Sequence, residues 1–179
     1  MAVLATGLVL GVTGCGSDDA PEGPTPSASS VSSRSASDSK EPQSEAPSET
    51  LAVLKGAKGL ELTISSAERD GGGFVTVKGN LKNTSDSSVV VSSQTSGNET
   101  EVMKHGASLG GATLVDSAGK KRYYVLRDTD GRPLTTTGIS ILAAESSAEV
   151  FMQFPAPAAG TAEVSFQLPT FEPGTIKLS

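Results

Sequence analysis

Few side chains in these 179 residues carry chemistry that the others lack. His105 is the only histidine and Cys15 the only cysteine, and there is no tryptophan. Met103 lies two residues before His105, and Met152 lies further on. Thioether and imidazole together suit Cu(I). Copper carriers usually present several methionines and more than one histidine, so the expectation is a loop His105 and a core Met152. Asp128-Thr129-Asp130-Gly131 opens like a calcium loop. Such a loop needs a further Asp or Asn before the Gly and a Glu six residues beyond it, and position 137 is Thr. The expectation is a turn in which the Asp carboxylate caps its own backbone. A Ser-His-Asp arrangement would have to use His105, and no Gly-x-Ser-x-Gly elbow is present. No catalytic, cofactor-binding or metal-ligating residue is assigned, and the chain reads as a non-enzyme.

Charge narrows the partners. Fourteen basic residues against 20 acidic ones give −6, which argues against nucleic acid, whose phosphates need clustered Lys and Arg. The densest basic patch is Lys120-Lys121-Arg122, with Arg127 and Arg132 nearby. If these residues sit on a hairpin, Arg122 and Tyr124 share one face, and Lys121 and Tyr123 the other. Two readings stand: contact with anionic wall polymers or lipid headgroups, and protection of an edge strand by Lys. The second is favoured. One Cys precludes an internal disulfide, and one Cys with one His precludes the usual zinc sites.

These residues must be placed by three segments. Residues 1–14 hold an uncharged apolar run of signal-peptide length, too short to be a membrane span. Val12-Thr13-Gly14-Cys15 resembles the lipobox of bacterial lipoproteins. That resemblance implies a diacylglyceryl group on the Cys15 thiol and cleavage just before it. No positive charge precedes the run, so a start further upstream is expected. The other reading of Cys15 is a buried free thiol. Its place just ahead of a low-complexity tract favours the anchor.

Residues 15–50 read as that lipidated Cys and a disordered tether. From 16 to 50 there are 11 Ser and 5 Pro, with Val31 the one large aliphatic residue. Such a segment buries too little surface to offset its chain entropy. Seven acids against Arg34 and Lys40 give it −5, which leaves −1 for the rest.

Residues 51–179 read as one all-β domain, because apolar side chains recur with period two. Leu60, Leu62 and Ile64 begin the pattern; Val75, Val77 and Leu81 follow Gly71-Gly72-Gly73; Val89–Val91 make a short strand. Ala112–Val115 and Lys121–Leu126 flank Asp116-Ser117-Ala118-Gly119, a hairpin with Gly at the left-handed position. Val150, Met152 and Phe154 alternate, then Val164, Phe166 and Leu168, and Ile176 and Leu178 close the pattern. Seven to nine strands are expected, with one helical turn over 51–57 and an ambiguous 99–105. The large core members expected are Phe74, Tyr123, Phe151 or Phe154, and Phe166. This predicts an antiparallel β-sandwich.

The stretch GATLVDSAGKKRYYVLRDTDGRPL, the Phe154-Pro155-Ala156-Pro157 break and the Leu168-Pro169-Thr170-Phe171 ending resemble telokin-like, immunoglobulin-like domains of actinobacterial lipoproteins and secreted antigens. The resemblance spans roughly 60–179. It implies an immunoglobulin-like sandwich held on the outer face of the cell membrane, and it carries over no catalytic residue. The expected function is a non-enzymatic binding module that meets an envelope protein or wall polymer. The alternative is a ligand- or metal-binding accessory lipoprotein, for example for copper.

Overall fold

The computed structural model describes residues 49–179. The expected signal peptide, Cys15 and all but the last two residues of the tether lie outside them. Among the described residues there are ten strands: β1 Ala52–Lys55, β2 Leu60–Arg69, β3 Phe74–Asn83, β4 Val89–Val90, β5 Thr113–Asp116, β6 Lys121–Tyr124, β7 Ile141–Leu142, β8 Ser147–Pro155, β9 Glu163–Gln167 and β10 Gly174–Lys177. One helical turn, α1, spans Thr100–Met103. No described helix is long and apolar enough to cross a membrane.

Two four-stranded antiparallel sheets form, in the orders β1-β2-β3-β8 and β10-β9-β5-β6, and β4 pairs with β7 in a separate ladder. The alternation explains why the sheets meet. Leu62 and Ile64 on β2, Val75 and Val77 on β3, and Met152 and Phe154 on β8 are all fully buried. Leu114, Val164, Phe166 and Ile176 of the second sheet join them in one cluster. Each such side chain contributes roughly 1.5–3 kcal/mol by leaving water. Phe154 and Phe166 meet edge to face, with ring centroids 6.5 Å apart and planes at 88°. That pair joins the two sheets at the centre of an all-β sandwich.

One irregularity sets the phase of β2. A bulge between Ile64 and Ser66 inserts a residue, so the buried series Leu60, Leu62, Ile64 resumes at Ala67. Gly79 lies opposite the bulge. A Cβ there would collide with the Thr63 carbonyl oxygen and lie 3.2 Å from the Ile64 Cα. The missing side chain is what lets two backbones approach so closely.

Several expectations change. Residues 51–57 are not a helical turn: Ala52–Lys55 pair with Ile64–Glu61, and Leu54 is buried. Pairing with β2 overrides any local helical preference, and only a short 3-10 turn follows at Ala57–Gly59. Phe74 and Phe151 point outward, because Val75, Val77, Val150 and Met152 fix the inward phase of their strands. Phe154 is therefore the buried member of its pair, whereas Tyr123 packs against the core only in part. Phe171 also packs there, seated over Gly56, where a Cβ would fall 2.5 Å from its ring. In the β5–β6 turn the left-handed residue is Lys120, with φ of 53°, and not Gly119. Gly119 instead makes room for the Asp116 carboxylate, since a Cβ would lie 2.6 Å from Oδ2.

Candidate functional site

One concavity lies between an arch, residues 93–103, and the outer face of the β5–β6 hairpin. It is a cleft of about 510 Å³, within the usual range for small-ligand sites. The arch leaves β4 through a 3-10 turn at Ser93–Ser96, capped by the Ser92 hydroxyl. Two buried polar side chains fix it. The Thr95 hydroxyl donates to the Ser92 and Ser108 carbonyls at 2.8 and 3.0 Å, and the Ser96 hydroxyl accepts from Ser108 N–H at 2.9 Å. Each is satisfied, so burial costs little.

Glycines let the arch sit down on the sheet. Gly111 N–H donates to the Thr95 carbonyl at 2.8 Å. A Cβ on Gly111 would lie 2.7 Å from Gly97 N, and one on Gly110 2.9 Å from a Val102 methyl. Val102 is the buried anchor of α1. Gly97 adopts φ of 87° and turns the chain into the cleft wall.

The opposite wall is chemically distinct. Arg122 and Tyr124 project from β6, the edge strand of the second sheet. Tyr124 is 56% exposed. Arg127 pairs with Glu99 of the arch at 2.6 Å. Among the described residues Arg122 has neither a carboxylate partner nor a side-chain hydrogen bond. Past Arg122 a second recess of about 430 Å³ continues, and Gly111, Thr113, Arg122 and Pro169 line both. Leu168, Phe171 and Pro173 form the far side of this recess.

The basic patch read from the sequence is thus divided. Arg122 and Arg127 line the cleft, whereas Lys120, Lys121 and Arg132 do not. Arg122 and Tyr124 do share a face, as their spacing predicts, and β6 is the edge strand that a Lys-rich sequence protects.

The other candidates have the following surroundings. Asp128 Oδ1 accepts from Asp130 N–H at 2.9 Å and Arg132 N–H at 2.8 Å, so this carboxylate caps its own turn. His105 is half-buried rather than a freely exposed loop residue. Its Nε2 lies 3.1 Å from the Asp130 carbonyl, which requires the proton on Nε2 and ties the end of α1 to the Asp128 turn. Met103 is exposed on the cleft wall, and Met152 is fully buried between the sheets. The described residues contain no group of three His, Cys, Asp or Glu able to hold a metal ion.

Two carboxylates are held in the charged form. Asp116 accepts from Gly119 N–H at 2.8 Å and from the Thr161 hydroxyl at 2.9 Å. These bonds pull its pKa below the ordinary value, the Gly119 contribution being the largest. Glu101 is likewise lowered, first by its hydrogen bond from Lys104 at 2.7 Å and then by that cation's charge.

The sequence alone did not reveal the cleft. Its arch is built from Ser, Thr and Gly without periodicity, and Glu99 and Pro169 carry no local signal. The available clue was the pair Arg122 and Tyr124 on one strand face. Models of known families, curated proteins and solved structures give no match to this chain.

Proposed function

We propose that the chain is a non-enzymatic binding module, an immunoglobulin-like sandwich held outside the cytoplasmic membrane by a lipid on Cys15. Two acyl chains give stable anchoring where one gives marginal binding. Residues 16–50 act as the tether. The domain then meets a partner at the envelope through the cleft beneath the 93–103 arch.

One observation carries this reading. The cleft combines an Arg122 unpaired among the described residues, a largely exposed Tyr124 and a Glu99–Arg127 pair on a glycine-seated frame. Preformed concavities with a few convergent polar groups are where ligands bind.

The test is photocrosslinking in cells. A photoreactive phenylalanine replaces Tyr124 in the full-length protein, and a control replaces Lys82 on the outer face of the first sheet. The expected result is a reproducible adduct from position 124 that position 82 does not give. Identical adducts from both positions, or none from 124, overturn the cleft as the binding site. Separately, Cys15→Ala is expected to release the protein into the medium; unchanged membrane retention refutes the anchor.

A further inference from the structure

The chemistry of the cleft defines its occupant more narrowly, an inference that rests on the binding-module reading. Four observations bear on it. First, Arg122 stands between two neighbouring recesses, because both are lined by it. A ligand running through them passes its guanidinium. Second, Arg122 has no anionic partner among the described residues, so its donors are open to a carboxylate or phosphate.

Third, the only other cation lining the groove is already neutralised. Arg127 is held by Glu99 at 2.6 Å, and the Glu99 side chain is 53% exposed at the groove wall. A chain with closely spaced negative charges would meet Glu99 without a second free cation to offset it. Lys120 and Lys121 lie outside the lining. Fourth, apolar surface lies on either side of Arg122: the exposed Met103 and Tyr124 on one side, Phe171 and Pro173 on the other. A polyphosphate or polyuronate would leave that surface unused.

We infer that the groove binds an extended peptide segment of a partner protein that carries one isolated acidic residue between apolar residues, its carboxylate on Arg122. Apolar side chains fill the recesses on both sides, and Glu99 disfavours strings of acids. Arginine suits this role because its planar fork holds a carboxylate through two parallel hydrogen bonds.

The experiment is selection of random displayed heptapeptides on the full-length lipidated protein in detergent micelles, in parallel with Arg122→Gln and Arg122→Glu. The expected consensus is a single Asp or Glu with apolar neighbours on both sides. A synthetic peptide of that consensus should lose about ten- to hundredfold in affinity for Arg122→Gln, the range of a lost charge-assisted bond. Arg122→Glu should instead enrich peptides with Lys or Arg at the central position. Unchanged folding of both variants is checked by circular dichroism; Arg122 is exposed, so its loss leaves the core intact.

Three results overturn the inference. One is no enrichment above the Arg122→Gln background. Another is a consensus of several consecutive acids. The third is displacement of the selected peptide by soluble polyglycerol phosphate at equal charge concentration, which assigns the groove to anionic polymer. If a partner still crosslinks at position 124 in any of these cases, the cleft stands as a binding site and only its acidic-peptide chemistry falls.

Discussion

Asn83 provides the sharpest test of how the sandwich end is held. It is fully buried at the end of β3. Its Nδ2 donates to the carbonyls of Ser87 at 2.7 Å, Ala143 at 2.9 Å and Leu142 at 3.2 Å. Two hydrogens serve three acceptors, so the longest contact is shared. Its Oδ1 accepts from Ser85 N–H at 3.0 Å and the Ser85 hydroxyl at 2.7 Å. One amide thus joins β3, the 84–88 turn and the end of β7. Asn83→Ala removes about four bonds worth roughly 0.5–1.5 kcal/mol each. Ser87 and Ala143 regain some water, which places the expected loss near the lower half, about 2–4 kcal/mol. Asn83→Asp is the discriminating variant. It keeps the shape and the two Ser85 donors but turns an acceptor oxygen toward three carbonyl oxygens and buries a charge without a countercharge. An uncompensated buried charge costs about 3–5 kcal/mol, so this variant should be less stable than Asn83→Ala at pH 7. Against a domain stability of about 5–15 kcal/mol, part of the population would unfold.

The pH dependence has a definite sign. The folded state favours the neutral acid at position 83, so its folded pKa lies above the unfolded value of about 3.9. The penalty is absent below that value and appears as pH rises through the interval between the two. The assay is urea unfolding followed by far-ultraviolet circular dichroism, since the chain has no tryptophan. Midpoints are compared with wild type at pH 4 and pH 7. Asn83→Asp that matches or exceeds Asn83→Ala at pH 7 would refute the argument.

Two further predictions concern other joints. Gly79→Ala should cost about 1–3 kcal/mol, because its Cβ meets rigid backbone at the β2 bulge rather than a mobile side chain; an unchanged urea midpoint would show that the bulge relaxes. Asp116 has a lowered pKa in the folded state, so the stability it contributes is present above the unfolded value of about 3.9 and is lost as pH falls below it. Asp116→Asn should therefore flatten the acid limb of the stability profile, and parallel limbs in wild type and variant would count against it.

The sandwich was legible where side chains alternate. Leu62, Val77, Met152 and Phe166 all face the core as period two requires, and strand edges match the Gly and Pro breaks. Phase carried the information, and residue size misled. Phe74 and Phe151 look like core residues by type, yet their neighbours' phase turns them outward. The β1 strand was hidden because its identity depends on pairing with β2 rather than on local preference. The cleft was least legible for the same reason. Its walls come from 93–103, 110–113, 122–127 and 169, and only the folded topology brings them together. What sequence did supply was the shared face of Arg122 and Tyr124, and the self-capping Asp128 turn. Cys15 lies outside the described residues, and its role remains the proposal tested by Cys15→Ala.

The strand order has a consequence for how the domain is made. β3 pairs with β2 on one side and with β8 on the other. A chain made N-terminus first forms β1, β2 and β3 early, through local turns. The far edge of β3 then stays open until Ser147–Pro155 has followed. Open edges recruit other chains, and distant pairings form slowly. Lys78 and Lys82, spaced along the outer face of β3, keep that temporary edge charged. The interval between the emergence of β3 and of β8 is therefore when this protein is most exposed to aggregation, and when a chaperone would be of most use.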